Sequence, residues 1–85
     1  MTPAPAPTYD ESLAITTELL KRHIELDRAI RPNDHIQNDL GLDSLGVMEL
    51  VADIESRFDL NIPSSMFDDL STVDDVAKAI VKLKS

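Results

Sequence analysis

DLGLDSLGVMELVADIESRF, residues 39–58, is the stretch on which the fold turns. From Ser44 onward its apolar residues fall at Val47, Leu50, Val51, Ile54 and Phe58, which share one face of a helix and do not alternate as a strand would. The helix is expected to begin at Ser44 or its neighbour. Gly46 then lies in the first turn, where a glycine costs less than in mid-helix. The run DLNIP, residues 59–63, closes the element.

Outward from this helix the pattern stays helical. RPNDHIQNDLGLD, residues 31–43, reads as a long loop with Ile36 and Leu40 as its anchors to the core. Before it, a first helix is expected to start near Asp10, because Thr8 and Glu11 have capping-box spacing. Leu13, Ile15, Leu19, Leu20, Ile24 and Leu26 recur at helical spacing, the pattern fails by Ile30, and Pro32 opposes continuation. After the central helix, Pro63 can open a short helical turn through SSMFDDL. Thr72 and Asp75 form a second capping box ahead of VDDVAKAIVKLK, with Val73, Val76, Ala77, Ile80 and Leu83 inward. Acids at the start of that last helix and lysines at its end both suit the helix dipole. The expected fold is all-α: a small bundle of three main helices, a short helix before the last one, and a long loop between the first and second. Residues 1–8 are expected to form a disordered Pro/Ala-rich tail and residues 9–85 the domain.

Composition narrows the function. The 85 residues suit one small domain, with no cysteine for disulfides or thiolate metal sites. That absence fits a reducing compartment, and a cytoplasmic location is expected. The net charge of -8 argues against nucleic acid, which needs clustered Lys and Arg, and favours partners with basic surfaces. No apolar run approaches the length of a membrane span. The acids concentrate between Asp34 and Asp75, where Arg57 is the only Lys or Arg. That concentration reads either as a solvated face or as a docking surface that includes the second helix.

Ser44 is the residue to explain. A nucleophilic serine needs an oriented base, and the only histidines are His23 and His35. GLDSLG lacks the second glycine of the G-x-S-x-G elbow, and no strand precedes it. Asp34, Asn38, Asp39 and Asp43 do not match a calcium loop, and the two histidines lack zinc-site spacing, so no metal is expected. Two readings remain. Ser44 is a helix N-cap, a position serine favours. Alternatively it carries a phosphate-linked group, held by free amides and the positive helix end and attached by an enzyme acting in trans.

The same residues resemble the 4′-phosphopantetheine attachment region of the acyl carrier protein family. The shared pattern is Leu40-Gly41-Leu42-Asp43-Ser44-Leu45, then Glu49-Leu50, Phe58 and Ile62-Pro63, with STVDDVAKAI resembling the start of the family's last helix. The resemblance covers about residues 9–84. It implies that Ser44 receives phosphopantetheine from coenzyme A through a separate transferase. The arm's thiol then holds an acyl or related group as a thioester, and the chain is a non-catalytic carrier. Implied partners are the phosphopantetheinyl transferase, an acyl-loading ligase or acyltransferase, and downstream synthases or transferases with basic docking surfaces. Partner recognition is expected at Asp43, Leu45, Met48, Glu49, Ala52, Glu55 and Met66, with the chain a monomer. Reversing Glu49 and Glu55 is expected to weaken docking far more than folding.

Gly46 stands where the family's fatty-acid members usually have an acid. Ser56-Arg57 stands where an acidic cluster is usual, and Ser64-Ser65-Met66-Phe67 follows Ile62-Pro63 where acids are usual. These departures point away from primary fatty-acid synthesis, towards polyketide, modified-lipid or aminoacyl chemistry. D-alanyl and peptidyl carriers, and an unmodified carrier-like interaction subunit, are the alternatives.

Overall fold

A computed structural model describes residues 6–84. Most of the expected tail, residues 1–5, lies outside the described residues, as does residue 85. The described residues form helices α1 (Tyr9–Leu20), α2 (Ser44–Phe58) and α3 (Val73–Lys84), with a 3-10 helix, Ser64–Asp69, between the last two. No strand is present among them; the one isolated bridge pairs His35 with Thr72. The all-α expectation holds.

Both capping boxes form. Thr8 Oγ1 accepts from the Glu11 amide at 3.1 Å, and the Glu11 carboxylate accepts from the Thr8 amide at 3.2 Å. Thr72 and Asp75 exchange the same two bonds at 3.1 Å each. The far end of α2 is closed by Asp59, whose left-handed backbone (φ 53°) ends the helix. The Glu55 carboxylate then catches the Ile62 amide at 2.8 Å and directs the chain towards Pro63.

Helix α1 ends earlier than its apolar spacing suggests. Arg22 and His23 make tight bonds to the carbonyls of Leu19 and Leu20, and the chain then leaves the helix. Ile24 still packs on the core, whereas Leu26 is exposed. His23 explains the turn, because its ring reaches across to α2 and meets Asp53 at 2.9 Å.

The core is aliphatic, built around Leu19, Leu20, Ile36, Leu50, Ile54 and Ile80. Val73, Val76 and Ala77 complete the inward face of α3, and Val47, Phe58 and Leu83 pack at its edge. Ile36 and Leu40 anchor the long loop as expected. Two residues without an apolar signature are also fully buried: Ser12 and Thr16 share the inward face of α1 with Leu19 and Leu20. Tyr9 donates to Asp74, joining the first turns of α1 and α3.

The long loop does structural work before it reaches Ser44. Arg28 grips the buried Asp34 carboxylate through two nitrogens at 2.8 and 3.0 Å, and the Arg31 amide adds a third bond at 2.7 Å. The carbonyls of Pro32 and Asp34 accept from the amides of Asp74 and Val73, so the loop satisfies donors at the start of α3. Ile36 donates to the Ser71 carbonyl at 2.9 Å, which ties the loop to the segment before α3.

Candidate functional site

Ser44 sits at the first position of α2 and is exposed. The chain reaches it through Gly41, whose φ of +78° is a conformation that L side chains rarely adopt. Leu42 is then buried, 6% exposed, and fixes the height at which the helix starts. The N-cap is Asp43, not Ser44: the Asp43 carboxylate accepts from the Gly46 amide at 2.7 Å. This corrects the helix-cap reading of Ser44 and leaves its hydroxyl for another use. The amides of Ser44 and Leu45 are among the donors that an α-helix leaves without intrahelical acceptors at this end.

Gly46 is more than a tolerated glycine. A Cβ there would stand 3.2 Å from Leu42 Cγ and 3.3 Å from Asp43 Oδ1, against both the anchor and the cap. A side chain at this position would need Leu42 or Asp43 to give by a few tenths of an ångström.

Neither histidine is hydrogen-bonded to Ser44; each ring is engaged elsewhere. His23 directs Nε2 at Asp53 (2.9 Å) and Nδ1 towards Glu49 (3.6 Å). His35 accepts the Asn38 amide on Nδ1 at 3.1 Å, which puts the proton of the neutral ring on Nε2. The oxygen ligands considered from sequence are also dispersed. Asp34 is held by Arg28, Asp39 accepts the His35 amide at 2.7 Å, and Asp43 caps α2. No group able to hold a metal ion occurs among the described residues.

Two hollows flank Ser44. A groove of about 370 Å³ runs from it between α2 and the 3-10 helix, lined by Val47, Phe67 and Leu70 with His35 and Gln37 from the loop. A shallower recess of about 290 Å³ lies on the other side, between Ile24, Leu42, Leu45 and Gly46. Spacing within α2 identified Val47. The loop and 3-10 residues carry no sequence signal for the groove, because tertiary packing brings them there.

Of the residues expected to meet partners, Leu45 (64%) and Met48 (58%) are strongly exposed. Glu49 and Ala52 are exposed beside them. Met66 is half-buried against the core. Asp43 and Glu55 are already engaged, one in the cap of α2 and the other on the Ile62 amide. Reversing Glu55 would therefore also remove a bond the fold uses.

Residues 14–80 match the family described as a phosphopantetheine attachment site. Curated relatives with the name acyl carrier protein, from Campylobacter jejuni and Campylobacter jejuni subsp. doylei, are 38% identical over 77 residues. The alignment covers 91% of this chain and 96% of each relative. The residues at Ser44 fit the group that this family carries: an exposed hydroxyl not used as a cap, open amides beside it, and a groove leading away.

Proposed function

The chain belongs to the acyl carrier protein family, and from that premise we propose that Ser44 is the attachment point of a 4′-phosphopantetheine arm and that the chain is a carrier, not a catalyst. The observation that carries this reading is the division of labour at the start of α2, where Asp43 caps the helix and Ser44 presents a free hydroxyl. In the attachment step, Ser44 Oγ forms a bond to the phosphorus of coenzyme A that carries the pantetheine. The phosphoanhydride bond breaks, adenosine 3′,5′-bisphosphate leaves, and the serine proton goes to a base of the transferase. Once attached, the arm supplies a thiol on which cargo is held as a thioester. The open amides at the helix end would favour the negative charge of a phosphodiester on Ser44. The tether raises the local concentration of cargo at whichever enzyme has docked.

Docking is proposed on α2. Leu45 and Met48 offer an apolar foothold, Glu49 and the Asp43 rim offer charge, and Ala52 lets a partner approach the helix closely. Glu55 and Met66 would mark the border of this surface. The partners are the transferase, a loading ligase or acyltransferase, and downstream enzymes with basic faces, steered by the net charge of -8. The same proposal places the chain in the cytoplasm, which a composition without cysteine fits, and has it act as a monomer. No helix among the described residues is long and apolar enough to cross a membrane. A specialised pathway is favoured over primary fatty-acid synthesis by Gly46, which stands where the family's fatty-acid members usually have an acid.

The test is intact mass after incubation with coenzyme A, magnesium and a broad-specificity phosphopantetheinyl transferase, with Ser44→Ala in parallel. One phosphopantetheinyl group gained by the wild type alone is expected. No gain in folded wild-type protein would overturn the reading in favour of an unmodified interaction subunit.

A further inference from the structure

We infer that α2 carries a charge reversal that selects its partner: the enzyme surface it fits has a basic group opposite Glu49 and an acidic group opposite Arg57. The two positions are eight residues apart, about 12 Å along the helix. The inference rests on the docking surface proposed above and names the charge pattern of what docks there.

Glu49, Asp53 and Arg57 follow at four-residue intervals and so lie along one ridge of α2. The Glu49 side chain is 55% exposed, and His23 Nδ1 stands 3.6 Å from it, beyond hydrogen-bond distance. Asp53 is four residues before Arg57, the spacing at which an acid and an arginine ordinarily pair on a helix. Its carboxylate is instead held by His23 Nε2 at 2.9 Å. Glu55, two residues before Arg57, is turned onto the Ile62 amide. The fold thus commits both nearby α2 carboxylates elsewhere. Arg57 is exposed and makes no hydrogen bond or ion pair among the described residues. Lys84 Nζ reaches the Asp59 carbonyl at 3.4 Å, which brings a second cation to this end of α2. The Asp59 carboxylate pairs with neither cation.

The apolar foothold of Leu45 and Met48 is offered to every partner alike, so charge makes the distinction. A surface basic along its whole length gains at Glu49 and is repelled at Arg57. A surface with a carboxylate at the second position gains at both, because the guanidinium fork matches a carboxylate with two parallel bonds. Rejection of the wrong partner by like charge is as much a part of specificity as attraction of the right one.

The experiment uses the full-length protein and, as probe, a phosphopantetheinyl transferase chosen for a docking face that is basic along its length. The kcat/KM for loading is read at low and high salt for wild type, Arg57→Gln and Arg57→Glu. Against this probe Arg57→Glu is expected to load about three-fold faster than wild type at low salt, the effect of one exposed charge pair, with Arg57→Gln between them. The three are expected to converge at high salt. Each Lys or Arg of the probe's docking face is then replaced in turn by Glu. One such variant is expected to invert the order, so that wild type loads fastest. A dipole role alone for Arg57, in the last turn of α2, predicts lower urea midpoints for both substitutions and unchanged loading. That result, or no probe variant that inverts the order, would overturn the inference while the mass gain at Ser44 still upheld the carrier. Absence of loading in every form would overturn both.

Discussion

Asp43 and Ser44 are adjacent residues with separable jobs, and substitutions distinguish them. Asp43→Ala removes the acceptor of the Gly46 amide and is expected to cost about 1 kcal/mol of stability, read from the urea midpoint. Ser44→Ala removes an exposed hydroxyl that takes no part in the cap, and is expected to stay within about 0.5 kcal/mol of wild type. A Ser44→Ala loss as large as that of Asp43→Ala would return the cap to Ser44. The sequence alone left this open, because Asp and Ser are both favoured N-caps and a shift of one residue exchanges their roles. The backbone path through Gly41 and the buried Leu42 sets the register.

At the scale of elements, α1 illustrates where apolar periodicity is insufficient. Ser12 and Thr16 are wholly buried, and neither hydroxyl has a hydrogen-bond partner. A buried hydroxyl without a partner is destabilising. Thr16→Val keeps the shape of the side chain and is expected to raise stability by about 1 kcal/mol, a shift in Tm of roughly 4–8 °C for a domain of this size. A lower Tm would show that Thr16 has a partner in solution. The inward face of α1 could be only partly drawn from sequence, since polar residues at inward positions look like solvent-facing ones. Its early end was also hidden, because Ile24 and Leu26 continue the spacing while His23 is drawn towards α2 by Asp53. The capping boxes were legible because their bonds join residues only three apart.

For the whole molecule, charge connects stability to pH. Hydrogen bonds from Arg28, with help from the Arg31 amide, hold Asp34 below the usual carboxylate range. The Tyr9 hydroxyl, followed by Lys78, does the same for Asp74. A lowered native pKa gives stability that is fully present above the unfolded value, about 3.9, and is lost as pH falls through the native value. Acid is therefore expected to loosen the Arg28–Asp34 clasp within the long loop, and the Tyr9–Asp74 link between α1 and α3. In urea titrations between pH 6 and pH 2, Asp34→Asn should be less stable than wild type near neutrality and show a flatter acid limb. Parallel limbs would remove Asp34 from the cause. Docking is the other consequence of charge. Glu49→Lys is the cleaner probe, because Glu55 also holds Ile62. It should slow loading by the transferase at low salt and converge with wild type at high salt, where screening shortens the reach of charge. Equal rates at low salt would remove Glu49 from the docking surface.

The sequence by itself determined the helical class, both capping boxes, the inward faces of α2 and α3, the anchors Ile36 and Leu40, and the Asp43-Ser44-Leu45 motif that links the chain to its family. Those features depend on residues a few positions apart, or on a periodicity repeated along one helix. The tertiary structure decided which residue caps α2, what occupies the spaces beside Gly46, how the loop closes on α3, and which side chains border the groove at Ser44. His35, Val47 and Phe67 come from a loop, a helix and a 3-10 turn far apart in the chain. Their meeting depends on how the core packs, and no local pattern encodes that distance.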